Sequence, residues 1–230
     1  MSTQSIHNSD HSNFLHKLQE IWNKSSKQIM YASAAIILIA GAYIGYKKYI
    51  VEPNELKAED AIFKAEAYFR IDSLNLALNG DGSSKGFLYV VKNYGSTKSG
   101  NLAKFYTGVC YLKLKDFNNA VKYLNDFSSD SKQIQMIAYG RLADAYSELG
   151  KNEDALKNYK KAANYFTSDE GNSSEFLFRA AYLAESLGKS SDALELYKDL
   201  KAKYPKTEKG YQADKYIYRL SIEKNEFSVK

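Results

Sequence analysis

Histidine and cysteine are almost missing from this chain of 230 residues, and their scarcity closes most routes to chemistry. All three histidines, His7, His11 and His16, lie near the N-terminus. The rest of the chain has no imidazole to serve a Ser–His or Cys–His nucleophilic scheme. One cysteine, Cys110, excludes an intramolecular disulfide and a multi-cysteine metal site. It sits in an apolar helical stretch and reads as a small buried hydrophobe. The segment before Ser12 reads as unstructured, so no metal site is expected at the histidines. Proline is equally rare. Only Pro53 and Pro205 occur, which suits a mostly helical protein. No phosphate-binding glycine motif is present; Gly80-Asp81-Gly82-Ser83-Ser84-Lys85 lacks the spacing. Acidic pairs such as Glu153-Asp154 open helices, where they favour the helix dipole. No catalytic residue, cofactor, metal or small-molecule substrate is expected.

A basic face is also lacking. The net charge is +5, but residues 1–51 hold five lysines against two acids, and the remainder holds 27 basic against 25 acidic residues. Interspersed signs of this kind exclude a nucleic-acid partner.

What the chain does have is one long uncharged run. Ile29 to Tyr46 is 18 residues without a charge, about 27 Å as a helix and close to the thickness of a bilayer's hydrocarbon. Lys47 and Lys48 follow it and can reach the interface, with Trp22, Tyr46 and Tyr49 as interfacial aromatics. Gly41 and Gly45 form a G-x-x-x-G that would let another helix approach. The run is longer than the core of a cleaved signal and stands far from the N-terminus, so it reads as an uncleaved anchor over 29–51. Lysines on both sides leave orientation open. A short tail, 1–28, and a large C-terminal domain fit a cytoplasmic N-terminus. In the tail, Phe14, Leu15, Leu18, Ile21 and Trp22 fall on one helical face, an amphipathic spacing.

The second presence is a repeat. Gly108-x-x-Tyr111 is followed by Ala120, Ala143-x-x-Tyr146 by Gly150 and Ala155, and Ala181-x-x-Ala184 by Gly188 and Ala193. The leading small residues stand 35 and 38 apart, a period that marks helix-turn-helix repeats stacked into a solenoid. The expected helices are 101–114 and 117–128, 134–149 and 152–166, 174–187 and 190–204. Thr167–Ser173 reads as an insertion. A stalk helix over 54–78 and a shorter helix over 85–94 read as a degenerate first pair within 54–100. Residues 206–230 read as a capping helix and tail, with Tyr211, Tyr216, Ile217 and Leu220 on its inner side. The fold class is therefore all-α, a transmembrane helix followed by an α-solenoid.

The segments 142–162 and 179–205 resemble tetratricopeptide repeats. Gly108, Ala143 and Ala181 match the position where paired helices touch; Ala120, Ala155 and Ala193 match the small residue of the second helix. Tyr159 and Tyr197 match its large aromatic. The resemblance implies a groove lined by the first helices. Its faces would be Leu102, Phe105, Val109 and Leu112; Ile137, Gly140, Asp144 and Ser147; Glu175, Phe178, Tyr182 and Glu185. A partner-binding groove is expected to use Phe105, Val109, Leu112, Asp144, Phe178, Tyr182 and Glu185, unless the chain's own stalk or cap fills it. The family's lysine–asparagine clamp for a terminal carboxylate is absent.

Together with Tyr94-Gly95-Ser96-Thr97-Lys98-Ser99-Gly100-Asn101-Leu102-Ala103, the anchor–stalk–repeat order resembles the YfgM family. Those proteins are ancillary subunits of the Sec translocon that pair with a membrane-bound periplasmic chaperone. The resemblance implies a scaffold of the bacterial inner membrane, N-terminus cytoplasmic and repeats periplasmic. Two other assignments stay open: an organiser of envelope assembly or division, and a eukaryotic organelle import receptor.

Overall fold

The computed structural model describes residues 4–223, which are helical apart from turns and one isolated bridge between Gly80 and Lys85. Two compact units divide at Pro53 and Asn54.

The first unit holds α1 (Gln4–Tyr46) and a π-helical turn, Lys47–Val51. The helix takes in the segment before Ser12 that reads as unstructured from sequence. The side chains of Phe14, Leu15, Leu18, Ile21 and the three histidines lie outside the described residues. One helix among the described residues is long and apolar enough to cross a membrane, and its apolar window, in this part of the chain, is wholly unburied. Trp22 is open on it, and a Cβ added to Gly41 or Gly45 would meet nothing. Lys47 and Lys48 occupy the π-helical turn.

The second unit is built from α2 (Glu52–Arg70), α3 (Leu74–Asn79), α4 (Phe87–Tyr94), α5 (Lys98–Lys113), α6 (Phe117–Asn125), α7 (Lys132–Glu148), α8 (Asn152–Tyr165), α9 (Glu170–Ser186), α10 (Ser190–Lys203) and α11 (Glu208–Glu223). One device ends the first helix of each pair. Residues Asp72, Lys115, Gly150 and Gly188 have φ of 59, 63, 70 and 72°. The next amide in each case donates back into the helix: Ser73 to Tyr68, Asp116 to Tyr111, Lys151 to Tyr146, Lys189 to Ala184. Glycine takes this left-handed conformation without a side-chain clash. Asp72 and Lys115 adopt it with a side chain, and the sequence gives no sign of that.

This device corrects the reading of the first pair. No single helix covers 54–78, because α2 stops at Arg70 and the chain reverses at Asp72. Ala65-x-x-Tyr68 followed by Ala77 then stands as a fourth copy of the repeat, and both alanines are fully buried like their counterparts Gly108, Ala120, Ala143, Ala155, Ala181 and Ala193. What hid it is the second helix, cut short after Asn79 by the loop to Gly86 before α4 resumes. Here Phe87 stacks on Tyr106 at 5.1 Å, with Phe69 edge-on to both. The expected insertion Thr167–Ser173 is shorter than its sequence suggests: α9 starts at Glu170, where the Asp169 carboxylate accepts the Asn172 amide. Such a cap stabilises a helix by about 1 kcal/mol.

A second motif makes two of the joins between pairs, before α5 and before α11. Tyr94-x-x-Thr97-x-x-Gly100-x-x-Ala103 recurs as Tyr204-x-x-Thr207-x-x-Gly210-x-x-Ala213. Each threonine hydroxyl donates to the tyrosine carbonyl, and each glycine amide donates to the threonine oxygen, at 2.9 and 3.1 Å. A Cβ at Gly100 or Gly210 would sit 1.7 or 1.9 Å from that carbonyl oxygen. So α11 is a first helix like α5, opening a fifth pair. Counting from the motif, Tyr218 takes the place of Gly108, where a second helix would press. Among the described residues no second helix follows α11. Tyr211 is 66% exposed, which corrects the expectation that it faces inward; Tyr216, Ile217 and Leu220 do pack on the core.

Cys110 is fully buried, and burial pushes its thiol up to about 12. A maleimide is therefore expected to leave the folded protein unlabelled over hours and to label it fully in denaturant. Rapid labelling of the folded chain would show that α5 opens.

Candidate partner-binding site

The first helices α5, α7 and α9 bring two adjoining clefts together. One, of about 610 Å³, is lined by Leu112, Lys115, Phe117, Asp144, Tyr159 and Arg179 among others. The next, of about 270 Å³, is lined by Tyr159, Glu175, Phe178, Arg179, Tyr182 and Leu183 among others. Ser147, Tyr159 and Arg179 belong to both.

A charged knot sits where the clefts meet. One oxygen of Asp144 accepts from the Tyr159 hydroxyl at 2.6 Å and from Arg179 at 2.8 Å; the other accepts from Arg141 at 3.1 Å. Arg179 also donates to Glu175 at 2.7 Å, and Lys209 of α11 lies 3.5 Å from the same carboxylate. Burial, and then Asp144, raises the Tyr159 phenol well above its ordinary range, so it stays a donor. Burial disfavours the charge on Arg179, but Glu175 and Asp144 outweigh it and hold the guanidinium charged. The motif recurs one repeat on, where Glu185 accepts from Tyr197 at 3.2 Å and pairs with Arg219. In each case an acid on a first helix ties down the tyrosine of its own pair and an arginine of the next first helix. Such a tie fixes the angle between successive repeats, and with it the shape of the clefts.

The expected groove residues divide three ways. Leu112 and Asp144 line the larger cleft, and Phe178 and Tyr182 the smaller. Glu185 is engaged by Tyr197 and Arg219 beside them. Phe105 and Val109 line neither cleft; Phe105 packs on Phe127 at 5.4 Å, because α6 and the following turn lie over it. Nor is Phe178 wholly free. Tyr216 of α11 meets its ring at 5.3 Å and Tyr197 at 5.8 Å, while Tyr182, stacked beside it, is 57% exposed. The cap thus covers part of this face and leaves the rest open. Sequence reasoning missed Arg141, Arg179, Lys115 and Phe117. The signal for the arginines was there, since each stands two residues before its repeat's leading alanine.

Among the described residues, no group of His, Cys, Asp and Glu is placed to hold a metal. Acid sensitivity follows instead from carboxylates. Burial raises Glu175, but Arg179 and Lys209 together bring it below its usual value. Hydrogen bonds from Asn172 hold Asp169 low, and those from Ser99 and Lys98 overcome the burial of Glu55. A carboxylate held low when folded adds stability above its unfolded pKa, about 4, and loses it as pH falls through the folded value. The melting temperature is therefore expected to drop steeply below about pH 4, measured by circular dichroism. A melting temperature unchanged between pH 5 and 3 would contradict these pairings.

The profile of the tetratricopeptide repeat matches residues 102–130 and 141–207. No curated protein is significantly similar to the chain. Among solved structures, the TPR-like repeats of a Podosopora anserina protein described as a kinesin light chain superpose with a TM-score of 0.55 at 15% identity, covering 75% of this chain and 89% of that one. A single-substitution variant of the same repeats gives the same score, with 88% of its chain covered. Likeness at that identity speaks for the fold alone. Residues 102–130 and 141–207 match tetratricopeptide repeats, and such repeats indicate a scaffold for protein–protein interaction.

Proposed function

We propose that this protein is a membrane-anchored scaffold, an ancillary subunit of the bacterial Sec translocon that links it to a membrane-bound periplasmic chaperone. In this reading Ile29–Tyr46 spans the inner membrane, with Trp22, Lys47 and Lys48 at its interfaces and Gly41 and Gly45 on a helix-contacting face. The N-terminus is cytoplasmic and the repeats are periplasmic. The proposal assigns the protein no catalytic step and no cofactor. Its function is positional: the span sits beside the channel, and the clefts of α5, α7 and α9 hold an extended segment of the chaperone.

The observation that carries the reading is the pair of clefts, pre-shaped by the Asp144–Tyr159–Arg179 knot and edged by the exposed Tyr182. A preformed site loses little entropy on binding. The anchor supports the location, and the order of one N-terminal anchor followed by repeats supports the particular partners. Purification of the full chain from native membranes in mild detergent is expected to recover both a translocon component and a chaperone. Recovery of neither, from membranes that contain both, would sink the assignment to the translocon while leaving the scaffold in place.

A further inference from the structure

The array has a bare first face. In later first helices, the positions that point toward the preceding pair are closed: Ala103 and Cys110 in α5 and Ala138 and Ala145 in α7 are at most 1% exposed. Their equivalents in α2 are Asp60 and Ala67, and both are exposed. Leu56 and Phe63 beside them are 67% and 65% exposed. A solenoid end of this kind is normally polar. Here an apolar strip runs along the helix face opposite the buried Ala58, Ile62 and Ala65.

The strip has heptad spacing. Leu56, Asp60, Phe63 and Ala67 follow one another at intervals of four, three and four, the d-a-d-a seam of a coiled coil. Lys57 and Lys64 then fall on the e flank, and Glu59 and Glu66 on the g flank. None of these four side chains has an ion-pair partner among the described residues. In a parallel pair of helices, g of one copy meets e of the other five residues on, so Glu59 faces Lys64 in both directions. In an antiparallel pair like flanks meet, and lysine would face lysine. The charge pattern therefore selects a copy of the same helix, in parallel.

We propose that α2 pairs in parallel with α2 of a second copy of this chain, through Leu56, Phe63 and Ala67. Two heptads are too short to hold alone in dilute solution. Tethering raises the effective concentration to the millimolar range; this clause rests on the membrane anchor proposed above. Two anchors in one bilayer also start both α2 helices from the same side. Asp60 at a seam position faces its own copy and limits the affinity, as a polar seam residue does.

The test uses full-length chain in vesicles, with one new cysteine at a time and Cys110 buried. Phe63→Cys and Leu56→Cys are expected to form disulfide dimers at least about ten-fold faster than Glu195→Cys on α10, because tethering acts on both alike and only the seam holds its positions side by side. Lys64→Glu in the Phe63→Cys background should slow crosslinking several-fold, and mixing with copies carrying Glu59→Lys in the same background should restore it. Asp60→Leu should raise the dimer fraction. Crosslinking no faster than at Glu195, or indifferent to Lys64→Glu, overturns the pairing. Alkaline extraction run alongside separates the two readings. If the chain is released from the vesicles, the anchor fails, and pairing is then read from the sedimentation of the Asp60→Leu chain at about millimolar concentration, which replaces the lost tether and where a monomer overturns it.

Discussion

Gly100→Ala is expected to destabilise the repeat unit by about 3 kcal/mol, near the upper end of what overpacking costs. A new Cβ would stand 1.7 Å from the Tyr94 carbonyl oxygen and 2.4 Å from its carbon. Both are backbone atoms in the link between α4 and α5, and the oxygen already accepts the Thr97 hydroxyl. No flexible side chain can yield, so the link must open and the cap on α5 goes with it. In a unit of this size the melting temperature should fall by about 6–12 °C. Gly210→Ala repeats the clash at 1.9 Å, but what it frees is α11. The rings of Phe178 and Tyr197 then lose Tyr216, and loss should begin at the C-terminal end. Gly171→Ala is the contrast. Its nearest neighbour is 3.7 Å away in a helix, so the melting temperature should hold or rise, with a gain of up to about 1 kcal/mol. Equal effects at Gly100 and Gly171 would show that the link is not tight.

The second large effect is on binding. Tyr182→Asp together with Lys115→Glu is expected to weaken partner affinity by about 30-fold or more, the loss of one aromatic anchor at about 2 kcal/mol and an added charge reversal. Both side chains are exposed at the clefts, and the melting temperature should stay within about 2 °C of the parent, as for most surface changes. Changing Phe178 instead would mix two effects, because it packs on Tyr197 and Tyr216. A double variant that folds and binds unchanged would move the partner off this face.

Much of this fold was legible because small residues must recur where helices touch. Ala143, Ala155, Ala181 and Ala193 gave the period, and Gly150 and Gly188 the helix ends. The first pair was not legible for a physical reason. Its left-handed end falls on Asp72, which carries a side chain, and its second helix is cut at Asn79. The same alanine–tyrosine–alanine spacing, Ala65, Tyr68 and Ala77, was in plain view without its punctuation. The cap misled through Tyr211, since periodicity finds an apolar stripe but not which side of the helix is covered. The candidate site was legible at Leu112, Asp144, Phe178 and Tyr182. Its centre was not: the arginine two residues before Ala143 and Ala181 recurs in the sequence, but its spacing does not report that Arg179 reaches Asp144 from 35 residues away. Tyr159 was read as the large aromatic of its second helix, and its hydroxyl turns out to hold the knot together.

The central claim is that one face of the array, and not its back, holds a partner. Site-specific photocrosslinking of the full chain in native membranes tests it most directly. A photoreactive residue at Tyr182 or Leu112 is expected to capture a single defined protein, while the same residue at Glu195 or Lys157 on the second helices captures none. Capture of that protein equally from Glu195, or from neither face, would contradict the account.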